Sequence, residues 1–234
     1  MEAMQYELNA GINQSAANAA RLILPHFPLQ LDHPLAPERA AAEHFIARCF
    51  FKAYGAQISH FLPYLLSAHI DFKICAAVGF QPAMHGKSLF LEHYLDRDIE
   101  TELGVVARAR VQRENVVEIG NLASGRQRAT QTLFVLLADI LQQVGYEWVV
   151  FTANRSVQRW LDSLNISTLM IKEADPRRLP DKGTLWGTYY DDRPVVLASN
   201  IQQSFGQLKQ NRVIDFLREN YQARIADFVA ELQQ

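Results

Sequence analysis

A carboxylate and two arginines lie close together in the segment that runs from Val116 to Ala138. Glu118 stands among β-branched, apolar residues that are typical of a strand, and burial in a strand raises the pKa of a carboxyl group. Arg126 and Arg128 follow in a short loop, and the chain then enters an apolar stretch typical of a helix. Backbone amides and the helix dipole both favour an anion at such a turn. The spacing therefore predicts a phosphate-bearing ligand beside a candidate proton acceptor.

Both features also have a purely structural interpretation. Glu118 would then be a carboxylate paired with a neighbouring arginine, such as Arg108 or Arg110. Arg126 and Arg128 would be solvated surface charges, which is the common fate of a lone basic pair. The helix that starts at this loop favours the phosphate interpretation, whereas for Glu118 the catalytic and structural interpretations stay open.

The elements that position these residues follow from the spacing of apolar residues and from proline and glycine. A first short strand is possible at 29–31, and the segment 58–66 reads as a helix or a turn. The helices are predicted over 38–54, 98–110, 129–144 and 154–164. The strands are predicted over 70–80, 88–94, 116–122, 148–152, 166–173, 185–190 and 195–198. This order predicts an α/β (α+β) fold with a mixed central sheet, flanked by helices and with a parallel pair at its centre.

One domain over residues 1–234 is expected, with an irregular segment at 1–36 and a C-terminal helical extension at 201–234. The extension places one apolar stripe along the last helix: Val213, Leu217, Tyr221, Ile225, Phe228 and Leu232. Its polar face mixes acidic and basic residues, whereas interfacial helices favour a basic face. Packing on the core or in a homodimer is therefore expected for this helix.

Composition excludes several classes of protein. The net charge of −2 gives no general attraction to nucleic acid or to an anionic membrane. The seven histidines show no ligand spacing, so no metal site is expected, and Cys49 and Cys75 lie in apolar runs typical of reduced thiols. Neither a signal-like start nor a run of about 18 apolar residues occurs, so we expect a cytoplasmic protein without a transmembrane segment.

The predicted order of elements, with a strand, a basic loop and a helix at its centre, resembles the GNAT superfamily of acyl-CoA-dependent N-acyltransferases. In that superfamily a Q/R-x-x-G-x-G/A loop holds the pyrophosphate of coenzyme A. The matching segment runs from Gly125 to Thr130, reads GRQRAT, and has fewer glycines than the pattern. The resemblance implies an acyl-thioester donor, which is either acyl-CoA or the phosphopantetheine of an acyl-carrier protein.

Five ordered segments resemble the thermostable hemolysin family more closely: FLEHYLDRDIE, VVEIGNLAS, FTANRSVQRWLDSLNI, KEADPRRL and WGTYYDDRPVV. The fold of that family resembles GNAT enzymes and acyl-homoserine-lactone synthases. The name of the family implies an activity directed at membranes, and its fold implies acyl transfer. The two agree if the protein makes an amphipathic acylated product that lyses cells.

The resemblance suggests roles for particular side chains around a cleft where the strands at 116–122 and 148–152 part. Glu118 would accept the proton of the amine, and Tyr189 or Tyr190, only one of which would face the cleft from a strand, would protonate the departing thiolate. The donor-binding residues would be Leu122, Ala123, Gly125, Arg126, Gln127, Arg128, Ala129, Thr130 and Asn154. The acceptor-binding residues would be Arg39, Glu43, Tyr54, Glu92, Tyr94, Asn121, Thr152 and Trp186.

Structural alternatives apply here too, because tyrosines pack in cores, Asn154 fits a helix cap, and polar strand faces usually meet solvent. An apolar lining by Phe134, Leu137 and the strand that contains Phe90 would suit a long acyl chain. Two other functions stay open: a hemolysin that acts on membranes directly, and a GNAT-derived binding module that has lost the chemistry.

Overall fold

The computed structural model describes residues 26–208 and 212–233. Its strands are β1 (Leu29–Asp32), β2 (Tyr64–Ile70), β3 (Lys73–Pro82), β4 (Val116–Ser124), β5 (Trp148–Ala153), β6 (Leu169–Glu173) and β7 (Val195–Asn200). Its α-helices are α1 (Arg39–Tyr54), α2 (Ile99–Ala107), α3 (Gln127–Val144), α4 (Arg155–Ser163), α5 (Ile201–Leu208) and α6 (Arg212–Leu232). Short 3₁₀ turns lie between these elements, among them Phe90–Tyr94, Thr184–Trp186 and Tyr189–Asp192.

The strands form one mixed sheet in the order β1-β2-β3-β4-β5-β7-β6. Strands β1 to β4 pair antiparallel, β4 and β5 pair parallel, and β7 pairs antiparallel with both β5 and β6. A parallel pair needs a crossover connection, and α3 supplies it between β4 and β5. The predicted mixed sheet with a central parallel pair is therefore confirmed.

Helices cover both faces of the sheet, and alternation along β4 assigns its side chains to them. Val117 packs in a core with Leu133 of α3 and Phe228 of α6. Val116 packs on the opposite face with Leu103 of α2, and α1 covers the neighbouring part of that face. Glu118 shares the face of Val116, so its carboxyl group lies on the side of the sheet that α1 and α2 cover.

The parallel strands part halfway along their length. Their pairing runs from Val116 opposite Trp148 to Ile119 opposite Phe151, whereas β4 continues to Ser124. Beyond Ile119, β4 carries a bulge in which two residues lie opposite Val78 of β3. A bulge bends its strand and changes where the backbone groups point. The result is the gap in the sheet that the sequence predicts.

Three predicted elements are wrong. The second half of 58–66 begins β2, which pairs with β3 in a hairpin turned at Asp71 and Phe72. The segment 88–94 is a 3₁₀ turn, because the Glu92 carboxylate accepts the N–H of Leu89 at 2.7 Å and satisfies the backbone locally. The segment 185–190 also forms 3₁₀ turns, interrupted at Gly187, whose φ of +54° is a conformation that strands exclude.

The C-terminal helix is part of the core. Tyr221, Ile225 and Phe228 of the predicted stripe are buried, while the side chain of Val213 lies outside the described residues, as do residues 1–25. The Tyr221 hydroxyl accepts the N–H of Phe27 at 2.6 Å and donates to the Phe27 carbonyl at 3.0 Å. Helix α6 therefore holds the segment that precedes β1 against the core.

Candidate active site

A cavity of about 150 Å³ lies in the gap between β4 and β5. Its wall includes Tyr54 from the α1 side of the sheet and Phe134 and Trp160 from the α3 side. The backbone of β4 from Glu118 to Leu122 also lines it, together with Thr152 just beyond the end of the parallel pairing. Because β5 does not pair with this part of β4, the backbone groups of β4 that face β5 are available to a ligand in the cavity.

Glu118 is the buried carboxyl group of this cavity, with only 4% of its surface exposed. Its Oε2 accepts the N–H of Phe90 at 2.7 Å, and its Oε1 accepts the N–H of Leu91 at 3.1 Å. Burial raises the pKa of Glu118 to about 8, even though the two amides lower it. Its partners are thus backbone amides and not Arg108 or Arg110. A carboxyl group with such a pKa exchanges a proton near neutral pH, which suits acid–base chemistry.

Three tyrosines lie in turns at or next to this cavity, and the predicted strand over 185–190 is absent. Tyr189 and Tyr94 both line the cavity. The Tyr190 hydroxyl lies 2.5 Å from the Tyr94 hydroxyl, so Tyr190 acts on the site through Tyr94. Burial is the main cause that raises the pKa of all three phenols, that of Tyr190 to about 12. The hydroxyls are therefore neutral near pH 7 and can donate hydrogen bonds.

Asn154 caps a helix and also lines the cavity. As the N-cap of α4 it accepts the N–H of Val157 at 3.0 Å. Its amide group also donates to the Tyr54 hydroxyl at 2.9 Å, and both side chains line the cavity. This hydrogen bond joins α1 to α4 across the gap in the sheet.

Asn121 occupies the bulge of β4 with a φ of +51°, a conformation that asparagine tolerates better than most residues. Its side chain accepts the N–H of Leu62 at 2.8 Å and donates to the His60 carbonyl at 3.3 Å. These bonds hold the loop before β2 against the cavity that Asn121 lines. Asn121 therefore shapes the wall of the site.

The basic loop lies at the start of α3, where Arg126 and Arg128 are exposed. The N–H of Gly125 donates to the Cys75 carbonyl at 2.9 Å, so this amide is not available to a phosphate group. The Thr130 hydroxyl donates to the Ser124 hydroxyl and closes the loop. Anion binding here would use the first amides of α3 and the two arginines; the side chain of Gln127 lies outside the described residues.

Several predicted site residues have structural contacts elsewhere. Ala123, Ala129 and Leu137 are buried in the core, and among the predicted donor residues whose side chains the structure describes, only Leu122 and Asn154 line the cavity. Arg39 pairs with Glu43 at 2.7 Å and donates to the Leu62 carbonyl at 2.8 Å. Neither Arg39 nor Glu43 lines the cavity.

Glu92, predicted to contact the acceptor, does not line the cavity and makes structural contacts. It pairs with Arg113 at 2.7 Å and accepts the N–H of Ile99 at 2.8 Å. Arg113 in turn donates to the carbonyls of Met84 and Lys87. Hydrogen bonds with Arg113 lower the pKa of Glu92 against the effect of its burial. The network holds the 3₁₀ turn that presents two amides to Glu118.

Of the predicted acceptor residues, Tyr54, Tyr94, Asn121, Thr152 and Trp186 do line the cavity. The sequence reasoning missed several other lining side chains: Phe50, His60, Leu62, Phe151, Val157 and Trp160. Phe50 could have been found from its spacing of four residues before Tyr54, which places both on one face of a helix.

Solved structures with a similar fold include an N-acyl amino acid synthase and acyl-homoserine lactone synthases, and the fold is GNAT-like. The N-acyl amino acid synthase FeeM from uncultured soil microbes is 11% identical over 77% of this chain and 98% of its own, with a TM-score of 0.54. The CoA-dependent acyl-homoserine lactone synthase BjaI, solved with MTA, is 12% identical over 88% of this chain and 98% of its own, with a TM-score of 0.53. At such identities the likeness shows a shared fold.

The family model for thermostable hemolysin matches residues 33–205, and the chain belongs to this family. The comparison with curated proteins gave no match. Within residues 26–208 and 212–233, every helix is too short or too polar to cross a bilayer.

Proposed function

We propose that this protein is an N-acyltransferase that moves an acyl group from an acyl-thioester to an amine. The observation that supports the proposal most is the buried carboxyl group of Glu118 in the gap between β4 and β5, with its pKa near 8. An anion-binding helix start follows the same strand. This combination provides a proton acceptor, unpaired backbone groups and a phosphate site along one continuous stretch of chain.

The thioester would lie in the gap, with its phosphates at the start of α3. Arg126 and Arg128 would contact the phosphates of coenzyme A or of a carrier-protein phosphopantetheine, together with the first amides of α3. The thioester carbonyl would lie beside the unpaired backbone of β4 at Asn121 and Leu122. Backbone amides that point at a developing oxyanion stabilise the transition state.

The reaction transfers one acyl group and moves protons between named groups. The amine nitrogen attacks the carbonyl carbon of the thioester and forms the C–N bond, and ionised Glu118 accepts the proton that the nitrogen loses. The C–S bond then breaks, and the Tyr189 hydroxyl protonates the departing thiolate. Proton exchange with water restores Glu118 and Tyr189, and the products are an amide and a free thiol. Tyr189 is preferred over Tyr190 because the Tyr190 hydroxyl is bonded to Tyr94.

An apolar space is present for the acyl chain on the α3 side of the gap. The rings of Phe134 and Trp160 meet edge to face with their centroids 4.7 Å apart, and both line the cavity. A second, smaller cavity of about 30 Å³ lies behind Phe134 and is lined largely by apolar residues of the core. An acyl chain that enters past Phe134 would be shielded from water.

Acyl-CoA and acyl-carrier protein are both intracellular thioesters, so the proposal places the reaction in the cytoplasm. The hemolysis that the family name describes would follow from an amphipathic product. A direct attack on membranes and a binding module without chemistry make different predictions for the same purified protein. A homodimer stays a prediction from sequence.

The test is to incubate purified protein with acyl-CoA donors of short, medium and long chain and a panel of amines. Released thiol and the mass of the amide are the two readouts. We expect thiol release that requires both donor and amine, and that falls sharply in Glu118→Gln but not in Glu114→Gln, an exposed carboxylate variant. Lysis of erythrocytes without a thioester, or coenzyme A binding without turnover of any donor, would contradict the proposal.

A further inference from the structure

A third cavity, the outer cavity, adjoins the cavity in the gap on the face of the sheet that carries Glu118. It is open to solvent, has a volume of about 650 Å³, and shares His60, Phe90 and Trp186 with the cavity in the gap. These three side chains therefore form a wall between the two spaces. A molecule in the outer cavity lies on the far side of this wall from the thioester site.

The wall is aromatic, and the backbone of one of its residues, Phe90, binds Glu118. His60 stacks on Phe90 with ring centroids 5.1 Å apart, and Trp186 meets Phe90 at 5.7 Å. The N–H of Phe90 is also the group that binds Oε2 of Glu118 at 2.7 Å. An amine that passes the Phe90 ring from the outer cavity therefore arrives at Glu118. This route is separate from the one past Arg126 and Arg128.

The charged side chains of the outer cavity favour an anion. Lys87, His60 and His93 line it, and His93 contacts the edge of the Phe90 ring at 5.7 Å. Among its described lining residues the one carboxylate is Asp181, which accepts the N–H groups of Gly183 and Leu185 at 3.2 and 3.1 Å. The Asp181 carboxylate is thus occupied by hydrogen bonds within its own turn.

The two histidines also repel each other when protonated. Burial lowers the pKa of His60, and the neighbouring His93 lowers it further. A carboxylate bound between them would relieve this repulsion and raise the pKa of His60. The aromatic wall beside them offers a flat, apolar surface on which a side chain of the same ligand can stack.

We propose that the outer cavity binds the acceptor, and that the acceptor is a primary amine that bears a carboxylate, as an amino acid does. Lys87 and His93 hold the carboxylate, and the amine is directed past Phe90 to Glu118. An amine without an acidic group lacks half of these contacts. The inference rests on the proposed acyl transfer for its purpose, while the binding it predicts is measurable without turnover.

The experiment is a titration of the full-length protein followed by NMR of the histidine ring protons. The probes are L-phenylalanine, phenethylamine, which lacks the carboxylate, and hydrocinnamate, which lacks the amine. His60→Gln and His93→Gln assign the resonances. We expect L-phenylalanine to shift both signals and to raise the titration midpoint of His60, with phenethylamine binding at least about tenfold more weakly. Hydrocinnamate should shift the same two signals.

A matched pair of variants locates the carboxylate contact. Lys87→Gln should weaken L-phenylalanine binding by about tenfold, while Lys73→Gln, in the distant β2–β3 hairpin, should not. In turnover assays, wild-type protein should have a higher kcat/KM for L-phenylalanine than for phenethylamine. In Lys87→Gln the ratio of these two kcat/KM values should fall towards one. Equal binding of the two amines, or unshifted His60 and His93 signals, would overturn the acceptor site. Intact binding without thiol release from any donor would contradict the acyl transfer and leave the acceptor site supported.

Discussion

The backbone N–H of Phe90 lies 2.7 Å from Oε2 of Glu118, although the two residues are 28 positions apart. This bond joins a 3₁₀ turn to the central strand of the sheet. It orients the carboxyl group towards the cavity, and the Phe90 ring stands between that group and the outer cavity. The position of one turn therefore decides both where the proton acceptor points and what can reach it.

The first prediction concerns the pH dependence of activity. The base form of Glu118 is the carboxylate, so kcat/KM should rise with pH and level off above a midpoint near 8. Glu118→Gln should remove this rise and lower kcat by about 10²- to 10⁴-fold. The measurement is a pH profile with an acceptor amine that titrates outside the range. If the pH profile of Glu118→Gln keeps the same midpoint, the midpoint belongs to another titrating group.

The second prediction concerns the pH dependence of stability. The folded-state pKa of Glu118 is raised above its ordinary value, so between about 4.5 and 8 the folded state holds a proton that the unfolded state has lost. The free energy of unfolding should therefore decrease as pH rises through this window, by an amount on the order of a few kcal/mol. Urea unfolding at several pH values measures it. A slope that is unchanged in Glu118→Gln would show that Glu118 is not its source.

The third prediction concerns the donor phosphates. The double variant Arg126→Gln, Arg128→Gln should raise KM for acyl-CoA by about tenfold or more, since each arginine contributes charge-assisted hydrogen bonds. An acyl-pantetheine thioester, which lacks the nucleotide phosphates, should show little change. Steady-state kinetics with both donors compares them, and Arg110→Gln, exposed in the loop after α2, is the control. An equal loss with both donors would place the arginines outside a phosphate site.

The fourth prediction concerns the acyl chain. Phe134 lines both the main cavity and the smaller one behind it, so Phe134→Ala should join the two spaces. The preferred donor should then shift to longer chains, at a cost of about 3 kcal/mol or less in stability because Phe134 is only partly buried. Relative kcat/KM values across chain lengths show the shift. Phe216→Ala, which removes an exposed ring of α6, should leave the order of donors unchanged.

The fifth prediction concerns the support of the Phe90 turn. Arg113 is 7% exposed and pairs with Glu92 and Glu100, so Arg113→Ala leaves two partly buried carboxylates without their partner. The expected loss is about 3–5 kcal/mol in the free energy of unfolding. Arg97→Ala, which breaks the exposed pair with Glu102, should change stability little. Chemical unfolding compares the two. If the two variants lose similar free energies of unfolding, the buried position of Arg113 does not make its ion pairs more important than the exposed pair of Arg97 with Glu102.

Local patterns accounted for the centre of the fold. Alternation along 116–122, the loop at Gly125 and the apolar spacing of α3 predicted the strand, turn and helix that the structure contains. The sequence missed β2 and misassigned 88–94, because an apolar run of that length fits a strand as well as a turn. The segment 88–94 forms a 3₁₀ turn because Glu92 accepts hydrogen bonds from the N–H groups of Leu89 and Ile99. Arg113 pairs with the same carboxylate.

What the sequence determined by itself is the parallel pair around a strand–turn–helix unit, with a carboxylate on the strand and two arginines on the turn. Those features depend on neighbours along the chain, whose periodicity and backbone preferences act locally. Only the tertiary structure decided that Glu118 binds the amides of Phe90 and Leu91, and that Arg39 braces a loop and stays out of the cavity. Such partners come from distant segments, and their contacts exist only once the packed core has brought those segments together.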